Sequence, residues 1–388
     1  MIMNENLISI TESVSVNFAD YIRKKKNITK LHIGDPDFKT HPNILIESTK
    51  TLNSDRISYG DSRGLKSLRN ELSFKLSNEN NIYTNPDENI LITHGAVHAV
   101  NIAIRAIINP GNECIIIEPY WLAYRNNVIL AGGKPVIIKN IGKFDLDIDE
   151  IKKYINKKTK LIIINSPNNP SGSVYDKLQL KELGKIAKEN DLFILSDEVY
   201  ESIVFDKNVH YSIASDKTSF NNIISVFSFS KKYSMTGWRV GYLVASKEIL
   251  NNILKLSQFS ITCMSIINQK AALSALTDPE VSIYAKYMMK EYERRKDLIL
   301  KLIKGTWMES NIYIPSGTFY MLINISKFNL SSFDFVKKIV DDYNVSFTPG
   351  IAFGENMDNF IRLCYVCSDK NIKIAINSLI KLNEKICH

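Results

Sequence analysis

Hydrophobic residues in this chain gather into short, dense blocks set off by polar and turn-forming residues. Asn89–Thr93, Cys114–Ile117, Leu161–Ile164, Leu192–Ser196, Ile223–Phe227 and Val240–Ala245 are such blocks, the last interrupted only by Gly241 and Tyr242. Each reads as a buried strand. From Glu88 onward the order is strand, loop, helix, repeated, and this predicts a mostly parallel sheet covered by helices, an α/β architecture. The turn His94-Gly95-Ala96-Val97 opens a helix rich in Ala, Val and Ile. Past residue 285 the texture changes. A long charged helix over Tyr284–Lys304 precedes Pro315-Ser316-Gly317-Thr318-Phe319-Tyr320 and then Pro349-Gly350-Ile351-Ala352-Phe353-Gly354. This part is expected to form a smaller α+β domain with an N-terminal arm. The expected division is a large domain over 45–285 and a small one from 1–44 with 286–388. Within the arm, residues 1–30 are partly helical, and Leu31–Phe38 is a short strand broken by Gly34 and Pro36.

Composition changes this picture little. The 388 residues are 45% hydrophobic, enough for a large core, and the chain has no repeats or low-complexity linkers. A net charge of +8 raises the question of nucleic acid. The excess is spread through the chain, and the run Arg23-Lys24-Lys25-Lys26 ends a helical segment, so it reads as a solvated helix end rather than a nucleic-acid patch. No apolar stretch is long enough for a transmembrane helix, and the N-terminus lacks the charge and apolar order of an export signal. Five cysteines in a chain of this size do not make a disulfide framework. Cys364 and Cys367 fall in Ile361-Arg362-Leu363-Cys364-Tyr365-Val366-Cys367, which reads as a strand. Residues three apart on a strand face opposite sides, so no metal site is expected there. The expected compartment is the cytosol.

The chemistry-bearing residues stand at the ends of the apolar blocks. After Ile223–Phe227 comes Ser228-Phe229-Ser230-Lys231-Lys232-Tyr233-Ser234-Met235-Thr236-Gly237-Trp238-Arg239. A lysine leaving a buried strand is poorly solvated, its pKa falls, and its amine becomes a nucleophile. Ser228 and Arg239 could hold a phosphate beside it. Lys232 competes locally, but the offsets to Ser228 and Arg239 favour Lys231. The small residues Gly95, Ala96 and Val97 open a helix whose free N–H groups make an anion site, the other half of a phosphate cup. Trp121, just past a strand end, could stack on a flat ring. Asn165-Ser166-Pro167-Asn168-Asn169-Pro170-Ser171-Gly172 is a stiff loop. Asp197 ends a buried strand, where a carboxylate requires a cation, and Tyr200 follows within one turn. Arg362, flanked by apolar strand residues, requires an anion and suits a carboxylate bidentately.

Ser228–Gly241 resembles the lysine motif of the class I/II aminotransferases, pyridoxal-5′-phosphate (PLP) enzymes of fold type I, at every defined position. The segment Leu31–Phe38, the asparagine-proline loop and Ile361-Arg362-Leu363 match further family motifs in order, so the resemblance spans Gly34 to Arg362. It implies Lys231 as the residue forming the cofactor's Schiff base and Asp197 as the partner of the ring nitrogen. Asn169 and Tyr200 would share the ring oxygen, and Ser228, Arg239 and the Gly95–Val97 turn would hold the phosphate. Trp121 would stack on the ring. The backbone of Gly34, with Asn169 and Arg362, would bind the substrate carboxylate. Tyr59 would reach from a partner subunit to the phosphate of a homodimer.

These assignments imply transamination between an L-amino acid and a 2-oxo acid by a ping-pong mechanism. C–S lyases, aminocyclopropane-carboxylate-type synthases and amino-acid oxidases use the same scaffold. A non-catalytic, ligand-binding copy of the fold is a further alternative, though such copies carry a preceding DNA-binding domain. Some aspartate-using members carry a lysine where this chain has Val97, which counts against a dicarboxylic substrate. Phe38, Tyr120 and Tyr320 are expected near the pocket and favour an aromatic or long aliphatic side chain. His32, His94, His98 and Arg125 lie near the motifs without an assigned role.

Overall fold

The computed structural model describes residues 5–10, 14–53, 57–140 and 144–387. Its strands are β1 (Thr29–Lys30), β2 (Ile90–Thr93), β3 (Glu113–Ile117), β4 (Lys134–Ile138), β5 (Thr159–Asn165), β6 (Phe193–Asp197), β7 (Ile223–Ser228) and β8 (Gly241–Val244), followed by β9 (Ile312–Tyr313), β10 (Tyr320–Asn324), β11 (Val345–Ser346), β12 (Thr348–Pro349) and β13 (Phe360–Cys364). The apolar blocks form a seven-stranded sheet in the order β2-β8-β7-β6-β5-β3-β4. All pairings are parallel except those of β8, which runs against both neighbours.

The strands are apolar at successive positions because both faces of the sheet are covered. Leu161 and Ile163 pack into one buried cluster with Leu195, Val226 and Leu243, under the helices Gly95–Ile107 and Lys247–Ile261. Ile162 and Ile164 face the other way, into a cluster that includes Leu180 and Leu183 of the helix Lys177–Glu189. The two-residue period of a strand thus sends alternate side chains to opposite layers. That second cluster continues into Phe319, Met321, Ile323 and Phe335, so the smaller four-stranded sheet β12-β13-β10-β9 shares its core. The helix Pro279–Ile303 runs through residue 285, where a domain boundary was expected.

Because β2, β3, β5, β6 and β7 point the same way, the loops that follow them collect along one edge of the sheet. Ligands of open α/β sheets bind at that edge.

Two local expectations change. The strand placed at Leu31–Phe38 is only β1, two residues earlier, paired in parallel with β11. Leu31 N–H still donates to Ser346 O at 2.9 Å, after which Gly34 and Pro36 release the chain from the ladder. Likewise β13 ends at Cys364, so Cys367 lies beyond the strand, although both thiols are buried. No group of His, Cys, Asp and Glu among the described residues is arranged to hold a metal ion. No helix among them is long and apolar enough to cross a membrane. Residues 1–4 and 11–13 of the expected arm lie outside the described residues, and its described helices are Glu5–Ile8 and Val14–Arg23.

Candidate active site

The loops at the C-terminal edge of the large sheet close around a cavity of about 470 Å³. Gly34, Ala96, Val97, Trp121, Asn169, Asp197, Tyr200, Ser228, Lys231, Arg239 and Arg362 all line it. Gly95 stands directly behind Arg239. Tyr59 is 85% exposed and does not line the cavity of its own chain.

Strand β7 delivers Lys231. Ser228 caps the short helix Phe229–Lys232, its Oγ accepting from Ser230 N–H at 3.1 Å. The Lys231 amine points inward and donates to Gly34 O at 2.6 Å. Burial first, and the charges of Arg362 and Arg239 with it, bring its pKa down to about 8. Lys232 is the opposite case. It pairs with Glu79 at 2.9 Å, and although burial pulls its pKa down, Tyr233, Glu79 and Glu201 more than offset this and raise it. Two adjacent lysines thus differ in chemistry because one faces the cavity and the other an acidic cluster. Only Lys231 is an amine poised for deprotonation near neutral pH.

The helix Gly95–Ile107 starts where β2 ends, leaving its first N–H groups without intrahelical acceptors. A Cβ on Gly95 would lie 2.6 Å from Arg239 Nη2, and the residue has φ +69°, so only glycine lets the guanidinium lie against this helix start. Arg239 is itself held in the left-handed region at φ +53°, with Nη1 donating to Thr236 O at 2.8 Å. Ser228, Arg239 and the helix start therefore form one electropositive corner.

Asp197 ends β6 with 4% of its surface exposed. Tyr124 Oη donates to its Oδ2 at 2.6 Å and Val199 N–H to its Oδ1 at 3.2 Å. Both partners are neutral. Burial raises its pKa to about 6, the two hydrogen bonds notwithstanding. This is a carboxylate that lacks a cation. Trp121 packs edge-on against Tyr124, with ring centroids 5.5 Å apart. Asn165 donates to Asp197 O at 2.9 Å and accepts from Asn169 N–H at 2.8 Å, which fastens the asparagine-proline loop to β6. Tyr200 Oη lies 2.9 Å from Tyr320 Oη, and burial first, then Tyr320, hold its pKa well above the usual phenol value.

Arg362, on β13, enters from the smaller sheet. Nη1 donates to Asn169 Oδ1 at 2.7 Å, and Nη2 donates to His32 O at 2.8 Å and to Thr348 Oγ1 at 3.1 Å. Its guanidinium carbon lies 4.1 Å from the Tyr320 ring centre and 4.9 Å from that of Phe353. Its Nε is buried without a partner, and among the described residues no acid forms an ion pair with it. A buried, uncompensated cation in a cavity calls for an anion. Gly34 sits beside it, where a Cβ would come within 1.9 Å of Tyr320 Oη, so no larger residue fits.

PLP, the group the resemblance implies, fits this set. An amine with a lowered pKa, a buried carboxylate short of a cation, an electropositive corner and an indole surround a single cavity. Sequence reasoning passed over Tyr124, Asn165, Thr348, Phe18 and Phe353, which also line it, and gave His32, likewise in the lining, no role. Asn165 was visible as the first residue of the asparagine-proline motif. Tyr124 lies one helical turn past Trp121, and the others come from distant segments. Of the aromatics expected near the pocket, Tyr320 lines it, but two do not. Phe38 packs against Tyr284, Tyr287 and Tyr292, and Tyr120 is buried beneath the site in the helix-covered layer. His94, His98 and Arg125 are likewise not in the lining.

The family model for aminotransferase class I and II matches residues 26–379. An aspartate aminotransferase of Pyrococcus abyssi is 36% identical over 388 residues, 99% of each chain. Aromatic-amino-acid aminotransferase 2 of Thermococcus litoralis is 33% identical, again over 99% of both. Among solved structures, an aromatic aminotransferase from Pyrococcus horikoshii superposes with a TM-score of 0.89 at 34% identity, covering 95% of this chain and 98% of that one. The Thermus thermophilus aspartate aminotransferase with maleate gives 0.92 at 29%, covering 98% and 100%.

Proposed function

This chain belongs to the class I and II aminotransferases and is a PLP-dependent enzyme of fold type I, and on that footing we propose how its own residues divide the work. When bound, PLP supplies the electron sink that lets an amino acid's Cα–H bond ionise, and the protein chooses the bond. Arg362, with Asn169 and the Gly34 backbone, holds the α-carboxylate of an L-amino acid and so sets the direction of that bond. Lys231 holds the cofactor and then carries the proton taken from Cα. Asp197 supplies the negative charge facing the ring nitrogen, Tyr200 and Asn169 donate to the ring oxygen, and Trp121 covers the ring. Ser228, Arg239 and the start of the Gly95–Ile107 helix bind the phosphate. The amino group passes to a 2-oxo acid in a second half-reaction. The observation that carries this reading is the lowered pKa of Lys231 in a cavity shared with Asp197, Arg239 and Arg362.

We extend the proposal to a cytosolic homodimer, with residues 45–285 as the cofactor-carrying unit. Phe259 is 94% exposed, in the last turn of the helix Lys247–Ile261. That helix is tied to the loop carrying Ile57 and Tyr59 by Gln258 Nε2 donating to Ser62 Oγ at 3.0 Å. It also meets the helix that opens the phosphate corner, through His98 and Ser260 at 3.2 Å. This apolar patch beside the corner fits a second copy, whose Tyr59 would complete it. The test of the site is spectroscopic. With PLP, the parent protein should show the visible absorbance of a lysine-bound cofactor, Lys231→Ala should lose it, and Lys232→Ala should keep it. Retention by both variants would refute the assignment.

A further inference from the structure

The cavity has a side that the cofactor roles leave unused. Phe18, Leu122, Ala352 and Phe353 all line it. Phe353 lies 4.9 Å from the Arg362 guanidinium carbon, so this apolar wall begins where the α-carboxylate is held. Phe18 comes from the helix Val14–Arg23 and stands edge-on to His32, with centroids 6.1 Å apart. The wall is fastened in place, since Tyr120 N–H donates to Phe353 O at 3.0 Å.

The charges in the lining point the same way. Its cations among the described residues are Lys231, Arg239 and Arg362. Under the proposed function one holds the cofactor, one its phosphate and one the α-carboxylate. No cation of this chain remains for a second carboxylate. His32 does not supply one, because burial first and Arg362 next bring its pKa to about 4, leaving the ring neutral. Asp35, also in the lining, adds negative charge. A side-chain carboxylate entering here would lose its hydration with no partner from this chain, which is costly next to an apolar wall. A cationic side chain would meet Asp35, but that carboxylate already accepts from Thr236 Oγ1 at 2.6 Å, and the other carboxylate of the lining, Asp197, is taken up by the ring nitrogen under the proposed function.

We propose that the amino acid this site selects carries an uncharged, apolar side chain, and that Phe18 and Phe353 are the residues that select it. The proposal rests on the transaminase reading and on Arg362 holding the α-carboxylate. Its substrate class is the larger aliphatic and aromatic amino acids. With its α-carboxylate on Arg362, the donor's side chain would lie against Phe18 and Phe353.

The holoenzyme is mixed with phenylalanine, leucine, methionine, alanine, aspartate or lysine without an oxo acid, and conversion of the cofactor to its amine form is followed by absorbance. Phenylalanine, leucine and methionine should react with a kcat/KM about tenfold or more above aspartate and lysine. Phe18→Ala should lower the preference for phenylalanine over alanine by about tenfold. Phe18→Leu, which keeps the helix seated, should move it in the same direction. Calorimetry adds a readout that needs no turnover: 3-phenylpropanoate should bind more tightly than succinate. Faster reaction with aspartate, or tighter binding of succinate, would mean that a cation arrives from elsewhere and would overturn the proposal while leaving the transaminase reading intact. Faster reaction with lysine would overturn it too. If no donor converts the cofactor, the transaminase reading fails, and the calorimetric order still decides the character of the wall.

Discussion

Asp197→Asn should make the cofactor-free protein more stable at pH 8, although it removes the carboxylate proposed to face the cofactor's ring nitrogen. In the folded chain the carboxyl pKa rises from its usual 3.8 to about 6, because it is buried with only Tyr124 and Val199 as partners. At about 1.36 kcal/mol per pH unit, ionisation of Asp197 then costs the folded state about 3 kcal/mol. The sign follows from the direction of the shift. A pKa raised on folding contributes stability at low pH that is lost as pH rises from about 4 through 6. Asparagine has nearly the same shape, never ionises, and keeps one acceptor for the two donors. The lost hydrogen bond costs about 1 kcal/mol, leaving a net gain of ~2 kcal/mol at pH 8. With ~2 cal/mol/K of unfolding entropy per residue, the 388-residue chain should melt ~2.5 °C higher. The assay is scanning calorimetry of both cofactor-free proteins from pH 4 to 8. The variant's advantage should shrink below pH 6 and reverse near pH 4, where the parent carboxyl is neutral as well. Saturating PLP should then raise Tm less in the variant than in the parent, since the ring nitrogen no longer meets an anion. If the cofactor-free variant melts lower at pH 8, or the difference does not depend on pH, then Asp197 does not carry the burial cost assigned to it.

Two further outcomes test the surroundings of the site. Gly95→Ala puts a methyl 2.6 Å from Arg239 Nη2 on a residue with φ +69°. The left-handed backbone alone costs roughly 1–2 kcal/mol. Displacing the guanidinium should weaken PLP binding about tenfold or more in equilibrium dialysis, and inorganic phosphate should compete less well for the corner. Glu201 is largely buried, and although burial raises its carboxyl pKa, Lys75 and Lys232 bring it below the usual value. It pairs with Lys75 and accepts from Asn80 Nδ2 at 2.6 Å, fastening the turn that carries Tyr200 to residues 75–80. Glu201→Ala leaves Lys75 buried beside Phe227 with Asn80 Oδ1 at 2.9 Å and Glu79 at 3.8 Å as its remaining partners, and should cost about 2–3 kcal/mol in urea unfolding, whereas Glu201→Gln should cost less.

The sequence carried the layered architecture unaided, because a strand buried on both faces must be apolar at nearly every position. Leu161–Ile164 and Ile223–Phe227 satisfy that rule. Local motifs also marked the ends of those strands, where Lys231, Asp197 and Asn169 stand. A buried amine or carboxylate is conspicuous against an apolar run.

What the sequence could not carry was distance. Gly34, Arg239 and Arg362 enter one cavity only because the sheet order and the second, smaller sheet bring remote segments together. The same is true of Phe18 and Phe353. Phe38 and Tyr120 show the converse: aromatics adjacent to motifs turn into the core, because which way a loop side chain faces depends on what packs against it. Even the contrast between Lys231 and Lys232 is tertiary in origin. Two identical side chains, adjacent in the chain, differ in acidity because one is buried facing the cavity and the other meets a pair of glutamates brought in from residues 79 and 201.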